Sequence, residues 1–147
     1  MSWMIPPLFV LVSISVMAVL AWLAPVAIVV SPPWNFAGVA VAAGGLALAA
    51  SGSRLFRARG TNIHTFRSPD VLVETGLFAW SRNPMYLGFL IALLGAAVAM
   101  NAASAFAGPA MFFAAASLWY IPFEERVMRR TFGEAYDAYA RRVRRWI

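Results

Sequence analysis

Two adjacent carboxylates, Glu124 and Glu125, stand directly after the Pro122-Phe123 end of a long apolar stretch. Like charges side by side at a membrane boundary are costly unless partners face them, and Arg82 and Arg126, expected at the same depth, are the candidate partners. A second constellation is Arg82-Asn83-Pro84, which leads a charged, amide-bearing turn straight into another apolar stretch. Proline suits the first turn of a helix, so Arg82 and Asn83 fall at a helix N-terminus. Free backbone N–H groups and a fixed cation there are suited to an anion such as a carboxylate. Each constellation also has a plainer reading, respectively a structural ion-pair network closing the bundle ends and a topology-marking arginine before a helix start.

The other titratable and metal-ligating types add little. The lone His64 lies in a charged loop and is read as a solvated interfacial histidine rather than a catalytic one. There is no cysteine, so no disulfide, thiolate nucleophile or Cys-ligated metal is available, and no metal site is expected.

The elements that must position these residues follow from composition. Of 147 residues, 62% are hydrophobic and only 12% charged, with a mean hydropathy of +0.72. That apolar fraction exceeds what one water-surrounded core buries, so much of the surface must face lipid. Every Asp, Glu, Arg and His falls between Arg54 and Arg82 or between Glu124 and Arg145. Turn-forming residues at Ser31–Asn35 and Met100–Ser104 divide the uncharged remainder into four candidate spans, at about residues 7–30, 35–53, 85–100 and 104–122. About 20 residues are needed to cross about 30 Å of hydrocarbon, which makes the third span the shortest. Each should be helical, with Pro25 and Pro109 kinking rather than ending a helix.

The sequence therefore predicts an all-α polytopic membrane protein, a single domain over 1–147 with four transmembrane helices and an interfacial C-terminal helix. The loop 54–83 and the tail 123–147 hold all twelve arginines, which places both termini and the charged residues on the cytoplasmic side of a prokaryotic-type inner membrane. Anionic lipid headgroups are the expected counter-charge to the net +6, and no nucleic-acid-binding pattern accompanies it. Small residues at packing spacing, Ala40 and Gly44, Gly45 and Ala49, then Gly88, Ala92 and Ala96, predict close helix contacts. In the tail, Phe132, Tyr136, Tyr139, Val143 and Trp146 line one helical face, predicting an amphipathic helix restarted at Gly133 along the inner interface, an anchor or a lid. Oligomeric state leaves no signature.

Residues 72 to 143 resemble the membrane-embedded methyltransferases that include isoprenylcysteine carboxyl methyltransferase and the phospholipid N-methyltransferases. That pattern runs Gly, an aromatic, then Arg-His-Pro-x-Tyr-x-Gly into a span, followed after a helical hairpin by Glu-Glu and Phe-Gly-x-x-Tyr-x-x-Tyr. Gly76, Phe78, Arg82, Pro84, Tyr86, Gly88, Glu124, Glu125, Phe132, Gly133, Tyr136 and Tyr139 match it in order. Asn83 departs from it, standing where better-known members carry His, and Leu77 replaces a frequent Pro.

The resemblance implies S-adenosylmethionine as cofactor, held by Gly76, Phe78, Arg82, Asn83, Pro84, Tyr86, Gly88, Glu124 and Glu125. A lipophilic acceptor would enter sideways from the membrane, with a carboxylate as in isoprenylcysteine O-methylation the nearest analogy. Arg142, Glu125 and Arg82 are the implied catalytic residues, Arg142 orienting an anionic acceptor head. A sulfonium, a carboxylate and an adenine do want carboxylates, a cation and an apolar slot. The soluble Gly-x-Gly-x-x-Gly fingerprint is absent. The competing readings are a membrane glutathione-type transferase and a small non-enzymatic membrane protein or transporter. The latter usually places ionisable residues mid-membrane, and the spans carry none.

Overall fold

The computed structural model describes residues 6–58 and 71–147, and the side chains of these except 56–58. The described residues are helical or irregular, with no strand among them, in the order α1 (Pro6–Leu23), α2 (Ala37–Ala58, led by a 3-10 turn at Trp34–Phe36), α3 (Pro84–Met100), α4 (Ala107–Ala115), α5 (Ile121–Phe132) and α6 (Glu134–Arg142). A 3-10 turn, α4, a π-turn at Ala116–Tyr120 and α5 run together as one rod from Ala103 to Phe132. α1, the α2 rod and this 30-residue rod are long and apolar enough to cross a bilayer, and α3 is a shorter apolar helix of 17 residues. At 1.5 Å per residue α3 spans about 25 Å. The chain is an all-α polytopic membrane protein.

α2 and α3 make the most extensive contact, and their glycines explain it. A Cβ on Gly88 would lie 2.5 Å from the Ala49 nitrogen and 2.6 Å from the Gly45 oxygen, so only hydrogen fits between the two backbones. Gly45 and Gly95 are equally confined by the opposite helix. Without a hydrophobic driving force between helices in lipid, such close approach supplies the van der Waals contact that holds them. The seam corrects the expected pattern in part: Gly45, Ala49, Gly88 and Ala92 lie on it, whereas Ala40 and Gly44 are exposed. Gly38, Gly45 and Gly52, seven residues apart, carry it along α2.

The two prolines differ: Pro109 leaves its rod unbroken, as expected, and Pro25 does not continue its helix. Pro25 ends the first helix rather than kinking it, because α1 stops at Leu23 and the chain to residue 30 is irregular. Proline offers no N–H to continue the ladder. That irregular stretch is held by Asn101, whose Oδ1 accepts from the Val29 and Val30 N–H groups at 3.1 and 2.9 Å. Asn101 itself closes α3 in the left-handed conformation at φ 54. Pro109 stands in the first turn of α4, where the missing N–H costs least. The proline that matters is Pro122, which cannot donate and crowds the carbonyl one turn below. Directly before it the helix widens into the π-turn, closed by the Ile121 N–H bonding to the Ala116 oxygen.

The core lies where α1, α3 and the long rod meet, around Met17, Leu93, Phe112, Ala116 and Ile121, all at or below 1% exposure. The helix of the fourth apolar stretch continues unbroken past 122 to Phe132, carrying Glu124 and Glu125 on it. Gly133, at φ 53, turns the chain into α6 as the sequence predicts. Beyond that the expected stripe fails, because Val143 is extended and the chain after it is not helical. The last residues instead fold back across the head of α3.

Candidate functional site

The candidate site is built at the head of α3. Gly76, at φ 64, opens a 3-10 turn over Gly76–Ala79 that buries Phe78, and the Tyr139 hydroxyl of α6 donates to the Phe78 carbonyl at 2.7 Å. Ser81, buried, then accepts from the Asn83 N–H at 3.1 Å. Pro84 begins the helix as expected. The helix-terminus reading narrows with this geometry: of the N–H groups at 83–85, that of Asn83 is already bonded and Pro84 has none, so Arg82 carries most of what the turn offers an anion.

Arg82 faces Glu125 across the bundle, Nη2 to Oε1 at 3.2 Å, with 12% and 8% of the two side chains exposed. The pairing foreseen with Arg126 does not form. Arg126 is exposed and lies over the Phe123 ring, 6.0 Å from its centroid. Its place is taken by Arg145, which grips Glu125 with Nε on Oε1 at 3.1 Å and Nη2 on Oε2 at 2.7 Å. The hydrogen bond to Glu125 pushes the Arg145 guanidinium upward, so its charge is permanent at any working pH. Glu125 thus lies between two cations.

The tail that carries Arg145 is strapped to the turn by backbone. The Arg82 N–H donates to the Arg144 oxygen at 3.0 Å, and the Asn83 amide Nδ2 to the Arg145 oxygen at 2.9 Å. Asn83, which replaces the histidine of the motif, therefore supplies a structural donor. Trp146 closes the strap against Phe113, ring centroids 5.1 Å apart.

Glu124 is held separately, by the Tyr86 hydroxyl at 2.9 Å. Tyr86 is buried and stacks against Tyr120 at 6.3 Å, which joins the polar cluster to the apolar core. Gly88, by contrast, sits in the α2–α3 seam, where its backbone packing accounts for it. Arg142 is two-thirds exposed and bonded to Glu74 at 2.6 Å. A role at an acceptor would require it to exchange Glu74 for the ligand head. His64 lies outside the described residues. Arg145 was missed because it is one of four tail arginines. The available signal was Glu125 itself, whose two buried oxygens needed more donors than Arg82 alone supplies.

Burial pushes both α6 tyrosines up: Tyr139 well above the usual phenol range, and Tyr136 further through the nearby Glu125 charge. Both stay neutral hydrogen-bonding groups at physiological pH. One buried donor of the site, Arg82 Nε, has no partner among the described residues. A fixed cation with an unused N–H next to a carboxylate pair suits a zwitterion, with its anionic end on Arg82 and its cationic end toward the glutamates.

A family model described as Phospholipid methyltransferase matches residues 34–135. The matched region contains α2, α3, the long rod and the Arg82, Glu124 and Glu125 cluster, and ends before Arg142 and Arg145. No curated protein and no solved structure gives a match.

Proposed function

The chain belongs to the phospholipid methyltransferase family of membrane-lipid methyltransferases, and from that premise we propose that it transfers a methyl group from S-adenosylmethionine to a lipophilic acceptor resident in the bilayer. The observation that carries the reading is the Arg82–Glu125 pair at 3.2 Å beside the Tyr86–Glu124 bond, all four residues inside the matched region. The Arg82 Nε, without a partner among the described residues, supports the fit to this cofactor, since the amino-acid carboxylate calls for such a donor. Glu124 and Glu125 would face its ammonium and sulfonium charges, and Tyr86 its apolar surface. When bound, the cofactor supplies an electrophilic methyl carbon that an acceptor lone pair displaces from sulfur.

The protein's own contribution is positioning in a water-poor setting. Glu125 and Arg82 hold each other, the strap through Arg145 covers them, and with an acceptor that is already a carboxylate no side chain in the cluster has to move a proton. Effective concentration and orientation account for most of the rate in such a reaction. The charged cluster is assigned to the cytoplasmic side, where the cofactor is dissolved, and the acceptor arrives between the helices from the lipid.

The test is ligand-induced stabilisation of the detergent-solubilised protein by S-adenosylhomocysteine, with glutathione as the competing ligand. A rise in melting temperature with S-adenosylhomocysteine and none with glutathione is expected. Folded protein that responds only to glutathione would establish the transferase alternative instead.

A further inference from the structure

The π-turn at Ala116–Tyr120 holds polar atoms that the cluster above does not use. Tyr120 is only 5% exposed, and its hydroxyl has no hydrogen-bond partner among the described residues. The Ser117 hydroxyl on the same turn is also buried and unpartnered among them. A buried hydroxyl without a partner is costly, and in lipid no water lies at hand to relieve it. π-turns are rare and occur frequently at functional sites, where they turn side chains that a regular helix would aim elsewhere.

The surroundings of Tyr120 define what it would meet. Its ring packs edge-on to Phe9 of α1 at 6.2 Å and stacks on Tyr86 of α3 at 6.3 Å. Tyr86 in turn holds Glu124, and the neighbouring Glu125 holds Arg82. Tyr120 is therefore the membrane-side end of a row that begins at the charged cluster. The ring is fixed on two sides and its hydroxyl is unspent.

We infer that the Tyr120 hydroxyl is the acceptor-side subsite, donating a hydrogen bond to an anionic oxygen on the head of the lipophilic substrate while the tail stays in the bilayer. The inference rests on the methyltransferase reading and names the substrate chemistry at that same site. An anionic oxygen is favoured because the hydroxyl donates, and a hydrogen bond to an ionised acceptor is about twice as strong as a neutral one, which offsets burial of the hydroxyl. The charges of the cluster, Arg82 and Arg145 against Glu124 and Glu125, cancel and do not themselves choose the head group. Tyr120 is a positioning residue for the head group and takes no proton.

A carboxylate and a phosphate both offer such an oxygen, so two probes are used in detergent micelles: oleate and dioleoylphosphatidate. The variant is Tyr120→Phe, which keeps both ring contacts and removes only the hydroxyl. Thermal shift of the full-length protein is measured with each probe and, separately, with S-adenosylhomocysteine. The wild type should bind at least one probe, and Tyr120→Phe should bind it roughly 10- to 100-fold more weakly. The unliganded variant should be as stable as the wild type or more so, because an unpaired buried hydroxyl has been removed, and its response to S-adenosylhomocysteine should be unchanged. Equal probe affinity in the two proteins, binding of neither probe by the wild type, or a destabilised unliganded variant would overturn the inference. Loss of the S-adenosylhomocysteine response in the wild type with probe binding intact would instead overturn the methyltransferase reading.

Discussion

Glu125 is the most tightly engaged charge among the described residues, and removing it or removing Arg145 should give very unequal results. Glu125→Ala leaves Arg82, 12% exposed, buried beside a vacated carboxylate position. An ion left unpaired in that way costs about 3–5 kcal/mol. Arg145→Ala removes two charge-assisted hydrogen bonds at 3.1 and 2.7 Å but leaves Glu125 paired with Arg82. Because the Arg145 side chain is 38% exposed, solvent screening reduces the loss to about 1–2 kcal/mol. The double variant should cost less than the sum by about that same 1–2 kcal/mol, since Arg145 has no partner left to lose. Unfolding in mixed detergent micelles, followed by tryptophan fluorescence, measures all three. Costs that are similar for the two single variants and additive within about 0.3 kcal/mol would refute the shared-carboxylate geometry.

Three further outcomes follow from particular contacts. Gly88→Ala should destabilise by about 1–3 kcal/mol because its methyl group meets α2 backbone, whereas Gly44→Ala, with nothing within 4 Å, should be neutral or slightly stabilising in the same unfolding assay. Tyr139→Phe leaves the Phe78 carbonyl without its donor and should cost about 1–3 kcal/mol. Since burial raises the Tyr139 pKa above its unfolded value, its contribution is complete below about pH 10 and is lost as pH rises through the folded value. Stability scanned against pH should therefore fall on the alkaline side, less steeply in Tyr139→Phe. Arg142→Ala breaks only the exposed pair with Glu74 and should cost under about 1 kcal/mol, with S-adenosylhomocysteine affinity unchanged by titration.

The Arg82–Glu125 contact joins residues 43 positions apart and was legible in the sequence, because a charge in an apolar chain has few places to find a partner. The same reasoning gave the all-helical fold and the start of α3 at Pro84. It misassigned the second partner. Arg126 is next to Glu125 in the chain, but adjacent residues on a helix point about 100° apart, so it faces outward while Arg145 arrives from the tail. That return depends on main-chain bonds from Arg82 and Asn83 to the Arg144 and Arg145 carbonyls, which leave no mark in residue type. Apolarity likewise overran the first helix, because it reports surroundings and not conformation. The residues up to 30 are apolar yet irregular, held by Asn101 from far along the chain. The π-turn was invisible for a similar reason, although Pro122 signalled that the ladder had to change there.

The most direct test of the account is methyl transfer itself. Purified protein is incubated with methyl-labelled S-adenosylmethionine and a membrane lipid extract, and label is followed into the organic phase. Label is expected in a lipid product with wild-type protein and is lost with Glu125→Gln. Folded protein that binds the cofactor but labels no lipid, or a Glu125→Gln variant that labels lipid as fast as the wild type, would contradict it.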